Sequence, residues 1–187
     1  MERAGLGSLR PVADATAAHW VVRGVRPFAD HVVTSLVPVG FDAYAVLVHA
    51  ADSADSEPRQ GSLPAAQADR LVRVLRRFTS TTDCYFAVWD GFARSAVPPT
   101  ATVAMPERTM PLLRGPLVEA ATVSMAVAPG DQSPSLWWPA DRAWCVATDV
   151  DLTTTYVGGS QACVDAVVTA SGLAAWPVDG GHGIAWV

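Results

Sequence analysis

SLPAAQADRLVRVLRRF (62–78), followed after a short gap by CYFAVWDG (84–91), decides how this chain folds. In the first segment Ala68, Leu71, Val72, Leu75 and Phe78 recur at helical spacing, while Asp69, Arg70, Arg73, Arg76 and Arg77 occupy the opposite face. Pro64 suits a first helical turn, and Ser62 is placed to cap it. The second segment is continuously apolar from Cys84 to Trp89 and too short for a buried helix, and Asp90-Gly91 supplies turn chemistry at its end. A helix that must bury one face, next to a strand apolar on both, calls for helices packed on a sheet.

Working outward, Ala17, Trp20, Val21 and Gly24 outline a first helix that Pro27 prevents from continuing. Residues 31–49 read as two strands about a turn at Pro38-Val39-Gly40, the second of them, from Phe41, apolar enough to be central. Residues 52–60, within ADSADSEPRQ (51–60), are a solvated loop of the domain. Beyond Pro98-Pro99 a short strand spans Thr109 to Leu113, stopped by Arg114-Gly115-Pro116, with a short helix or strand continuing to Met125. WCVATD (144–149) and TTTYV (153–157) form a hairpin about Asp151. A helix starts at Ser160 and ends at Gly172, 174–178 returns as an edge strand that tolerates Pro177, and 179–187 is a glycine-rich tail. The expected class is α+β, a mostly antiparallel sheet with three to four helices packed on it, in one domain over 1–187.

At 187 residues with half of them hydrophobic, the chain can bury a full core without disulfide or metal. Each of the seven tryptophans, if buried, removes roughly 150–250 Å² from water. The formal charge of −5 argues against nucleic acid, whose phosphates need a surplus of cations, and favours a basic partner. All thirteen cations are arginine, a mark of GC-rich coding. The three cysteines, Cys84, Cys145 and Cys163, are odd in number, far apart and in apolar surroundings, so they read as core thiols of a reducing cytoplasm. Neither a basic-then-apolar leader nor a membrane-length apolar run is present, and no cofactor is expected.

SPSLWWPADRAW (133–144) gathers three indoles, two prolines and an Asp-Arg pair. Trp137, Trp138, Asp141, Arg142 and Trp144, with Trp89 and Asp90, could form a contact surface, since rigid aromatics and arginine carry much of the energy at interfaces. The same rings could instead pack the segment onto the sheet. Asp149 and Asp151, two residues apart on a strand, could present both carboxylates to a divalent cation, or simply stabilise a turn. Gly158, Gly159 and Ser160 precede a helix and could offer N–H groups to an anion, although Ser160 also suits an ordinary cap. Read as a nucleophile elbow, Ser160 lacks sensibly placed partners, because Asp179 and His182 crowd together in the tail. His19, His31, His49 and His182 are too scattered for a metal site.

The motifs VPVGFDAY (37–44), YFAVWDG (85–91), the tryptophan segment and YVGGS (156–160) occur in an order that resembles a set of uncharacterised actinobacterial proteins, from about residue 31 to 178. That resemblance implies one compact domain and transfers no activity, cofactor or site residue. Two functions are therefore expected: a non-enzymatic cytoplasmic binding or protein-interaction domain using the tryptophan segment, inhibitor-like or immunity-like in character, or a small enzyme or phosphate-ligand protein using Asp149, Asp151 and the Gly-Gly-Ser helix start.

Overall fold

The structure, a computed structural model, describes residues 6–51, 53, 56–93, 100–105, 108–122 and 132–184. Among them are nine strands: β1 (Arg10–Pro11), β2 (Ala43–Val48), β3 (Asp83–Ala87), β4 (Thr102–Met105), β5 (Arg108–Pro116), β6 (Leu136–Pro139), β7 (Trp144–Ala147), β8 (Thr154–Gly159) and β9 (Ala174–Val178). They join in one sheet of order β1-β5-β3-β6-β7-β8-β2-β9, with β4 folded back on β5, and each pairing is antiparallel. The helices are α1 (His19–Gly24), α2 (Ala65–Leu75), α3 (Asp90–Ala93), α4 (Glu119–Thr122) and α5 (Gln161–Val168). The α+β class and the antiparallel sheet expected from the sequence are what the chain adopts.

Side chains alternate across each strand, so the sheet feeds two separate cores. On one face Leu47, Phe86, Trp137, Trp144, Val146 and Val157 meet Ala68, Leu71 and Leu75 of α2 and Val164 and Val167 of α5. On the other, Val46, Leu112, Trp138, Cys145 and Tyr156 meet Val21 of α1 and Val33 and Val37 of the irregular segment after it. The helical side is pinned by a specific bond as well as by packing: Trp144 stands edge-on to Trp137 at 5.4 Å between ring centres and donates its Nε1–H to the Leu75 carbonyl at 3.1 Å. α2 thus ends against the middle of the sheet.

Several local readings change for identifiable reasons. The first strand expected in 31–49 is absent; Val33–Ser35 coils into a 3-10 turn, because Ser35 Oγ donates to the Pro27 carbonyl and Thr34 Oγ1 to that of Gly180. These side-chain bonds to main-chain carbonyls, one of them to the distant tail, stand where a strand ladder was expected. The tail is laid down on that same turn: the N–H groups of Thr34 and Val33 donate to Gly180 and His182, and Ile184 donates to His31 and is buried. Ser62 does not cap α2; its hydroxyl accepts the Ser133 N–H, and Pro64 occupies the cap position. Arg114-Gly115-Pro116 does not stop β5, which runs through to Pro116 on the edge side of β3. Residues 136–139, expected as a loop, are the strand β6. Pro98-Pro99 and Met125 lie outside the described residues.

Trp144→Phe keeps an aromatic ring, though a smaller one, and deletes the bond to Leu75. Urea unfolding is expected to show a loss of about 1–3 kcal/mol, the cost of a buried carbonyl left without its donor. Trp137→Ala, which also opens a cavity beneath α2, is expected to cost about 3–5 kcal/mol.

Candidate functional site

The face of the sheet opposite α2 and α5 carries one cross-strand row that ends in charge. Strand register sets Trp138 of β6 beside Tyr85 of β3, Tyr85 beside Arg114 of β5, and Arg114 beside Arg10 of β1. Tyr85 lies nearly parallel to Trp138, ring centres 5.7 Å apart, and the Arg114 guanidinium sits 5.7 Å above the Tyr85 ring. Arg114 Nη2 also donates to Asp83 Oδ2 at 2.5 Å. Beyond Trp138 the row turns upward: Trp20 of α1 meets it edge-on at 6.2 Å, and Arg142 covers Trp20 at 5.6 Å. The Trp20 Nε1–H is buried without an acceptor among the described residues.

Over this row lies an open groove of about 990 Å³, walled by the chain at 10–17 and by the turn at Ala140 and Arg142. Arg10, Arg114 and Arg142 supply its cations and Asp14 and Asp83 its carboxylates. Asp14 Oδ1 accepts the Thr16 N–H at 2.8 Å, and the hydrogen bonds from Thr16 hold its carboxyl below the usual range. Neither Arg10 nor Arg142 forms an ion pair among the described residues. Arg142 has φ +58°, the left-handed region, where an arginine costs about 1–2 kcal/mol relative to the ordinary basins.

Of the residues singled out from the sequence, Trp138 and Arg142 line this groove, and the others take other places. Trp137, Trp138 and Trp144 are 1%, 1% and 0% exposed, so their rings do not form a contact surface. Adjacent residues of β6 send Trp137 into one core and Trp138 into the other, which is why two indoles in a row can both be buried. Asp141 braces the turn: its carboxylate accepts from Thr79 Oγ1, Ser80 N and Oγ, and Ala143 N. Burial tends to raise that carboxyl, but these bonds outweigh it and leave it lowered. Of the twelve-residue segment, Arg142 is the charged side chain that reaches the groove.

Asp149 and Asp151 do converge, on a guanidinium. Arg108 Nη2 lies 2.9 Å from Asp151 Oδ2 and 3.5 Å from Asp149 Oδ1, in the place assigned to a divalent cation. The Arg108 guanidinium is also stacked on Trp89 at 5.8 Å and on Phe28 at 5.9 Å, which gives the half-buried Trp89 an internal role. Asp90 is exposed at the start of α3. Burial pushes the Asp149 carboxyl up; its bond from the Asp151 N–H and the Arg108 charge restrain the rise. Among the described residues no three His, Cys, Asp or Glu side chains are grouped to share a metal ion.

Gly158 and Gly159 are not an anion loop either. Both lie inside β8, paired with β2 on one side and β7 on the other. A Cβ on Gly158 would stand 2.6 Å from the Phe41 ring and 2.7 Å from Val37 Cγ1, so glycine is there for close packing. Ser160 is the cap of α5, accepting the Cys163 N–H at 3.3 Å. The thiols are buried and inert: desolvation pushes Cys84 and Cys163 up to about 12 and Cys145 higher still. His49 is buried too, its ring nitrogens 3.0 Å from the Arg59 carbonyl and 2.9 Å from Thr155 Oγ1, and burial lowers its pKa.

Sequence reasoning missed Arg10, Tyr85, Arg108 and Arg114 as site residues. Period-two alternation places Tyr85 and Asp83 on one face of β3, a signal present in the sequence; the partners across the ladder are not. No protein-family model matches the chain, and no match is found among curated proteins or solved structures. No helix among the described residues is long and apolar enough to cross a membrane.

Removing Arg108 should leave Asp149 buried without its counter-ion. Arg108→Met is expected to cost about 3 kcal/mol in urea unfolding, and less in an Asp149→Asn background. Because burial raises the native carboxyl of Asp149, its ionisation opposes folding. Its contribution is most favourable below the ordinary carboxylate value of 3.8 and is lost as pH rises through the raised native value. Any stability that Asp149→Asn gains over the parent should therefore grow from acid toward neutral pH; a difference that shrinks instead would reverse the sign assigned to burial.

Proposed function

We propose that this protein is a non-catalytic binding domain whose ligand is anionic and lies in the groove between Arg10, Arg114 and Arg142. The observation that carries this reading is the register of β1 on β5, which sets Arg10 directly opposite Arg114. Like charges opposite each other on neighbouring strands are destabilising; Asp83 offsets the charge of Arg114, and an anion that also meets Arg10 reverses the sign of the interaction. Arg142 adds a second cost, a left-handed backbone that holds a guanidinium at the groove wall. Binding is favoured over catalysis because both groove carboxylates are engaged, Asp14 with the Thr16 N–H and Asp83 with Arg114, so neither serves as a ready base.

The chain as a whole is acidic, and a basic partner follows from that sum. At the groove the balance is three arginines to two aspartates, so the ligand met there is acidic. A protein-interaction role in the cytoplasm accords with three unpaired, buried thiols.

A labelled hexaglutamate peptide, followed by fluorescence anisotropy, is the direct test. Binding is expected to saturate, to weaken as salt rises, and to weaken at least tenfold in an Arg10→Ala, Arg142→Gly variant. Glycine at position 142 relieves the left-handed strain as it removes the Trp20 contact, so stability should stay within about 1 kcal/mol of the parent. Arg70→Ala, on the opposite face, is expected to bind as the parent does. Equal affinity in the parent and the groove variant would overturn the assignment.

A further inference from the structure

Resting on that reading, we infer that the anion is a phosphate monoester, seated between Arg10 and Arg114. The argument is one of acceptor count and charge. Residues directly opposite in an antiparallel pair have Cβ atoms about 4.5–5.5 Å apart, so the two arginines rise from neighbouring points and can fork onto one group. A carboxylate carries one negative charge on two oxygens, whereas a phosphate monoester carries close to two negative charges at neutral pH on three terminal oxygens.

The chain already supplies a carboxylate at this place. Asp83 Oδ2 holds Arg114 Nη2, and a carboxylate ligand would compete with it on equal terms. A dianion does not, because it brings close to twice the charge to the same pair of guanidiniums. Arg114 is also pre-oriented: its guanidinium is stacked over Tyr85, which in turn rests on Trp138, so the plane of its donor fork is set before the ligand arrives. The carboxylate of Asp14 also lines the groove and opposes any anion, but it is exposed and bonded to its own turn at Thr16. A phosphodiester, with one charge and two free oxygens, resembles a carboxylate in this respect. The site is thereby set apart from a nucleic-acid backbone site, in agreement with the net charge of −5.

The ester could belong to a small molecule or to a phosphorylated side chain, and calorimetry separates these sources. The probes are phenyl phosphate and a neutral peptide bearing one phosphoserine, with benzoate and the same peptide bearing glutamate as their carboxylate counterparts, all at equal ionic strength and pH 7.5. Each phosphate probe is expected to bind at least tenfold more tightly than its counterpart, and Arg10→Ala to abolish that preference while Arg70→Ala preserves it. Similar affinity for the two phosphate probes assigns recognition to the phosphoryl group alone; tighter binding of the peptide assigns it to a phosphorylated partner. If phosphate and carboxylate probes bind equally and Arg10→Ala weakens both alike, the phosphoryl assignment is overturned and the anionic groove stands. If none of these probes and no hexaglutamate binds, both readings fall.

Discussion

Two consecutive indoles in the middle of the sheet constrain the rest of this protein. Trp137 and Trp138 leave β6 in opposite directions and are each 1% exposed, so bulky cover is required on both sides of the strand. Area burial of that size is worth on the order of 4–6 kcal/mol per ring before entropy is subtracted, an upper estimate. On one side the cover is α2, located by the Trp144 bond to Leu75 as well as by packing. On the other it is α1 and the turns after it, with Trp20 edge-on to Trp138. Moving β6 by one residue would exchange the two rings between unlike cores, so the register is strongly determined.

The groove follows from the same arrangement. Trp138 supports Tyr85, Tyr85 supports Arg114, and the stack ends where the short β1 supplies Arg10. Stability and the proposed recognition thus fall on one row of side chains, buried at the centre and charged at the edge. The row departs from local stability at two points, in the opposition of like charges and in the left-handed backbone of Arg142. Both lie on the groove.

A second charged cluster shows the contrary arrangement. Arg108 is enclosed by two aromatic rings and two aspartates, and it ties the start of β5 to the turn between β7 and β8. A guanidinium so enclosed fixes position more than it adds stability, because desolvation consumes most of the attraction. It also explains why a DxD pair legible in the sequence is not a cation site: the cation belongs to the chain and arrives from a strand more than forty residues away.

The sequence by itself determined the α+β class, the helix at 65–75, the strand at 83–87, the hairpin of β7 and β8, the cap at Ser160 and the edge strand at 174–178, because each rests on periodicity or turn chemistry within a few residues. It also determined that the cysteines would be core thiols. Only the tertiary structure decided that the tryptophan segment is an interior strand rather than a contact loop, that Gly158 and Gly159 serve packing, and that Arg10 stands beside Arg114. The physical reason is common to all three: strand order and register join residues distant in the chain, and the identity of a cross-strand neighbour, which sets burial and local charge, is written in no window of neighbouring residues.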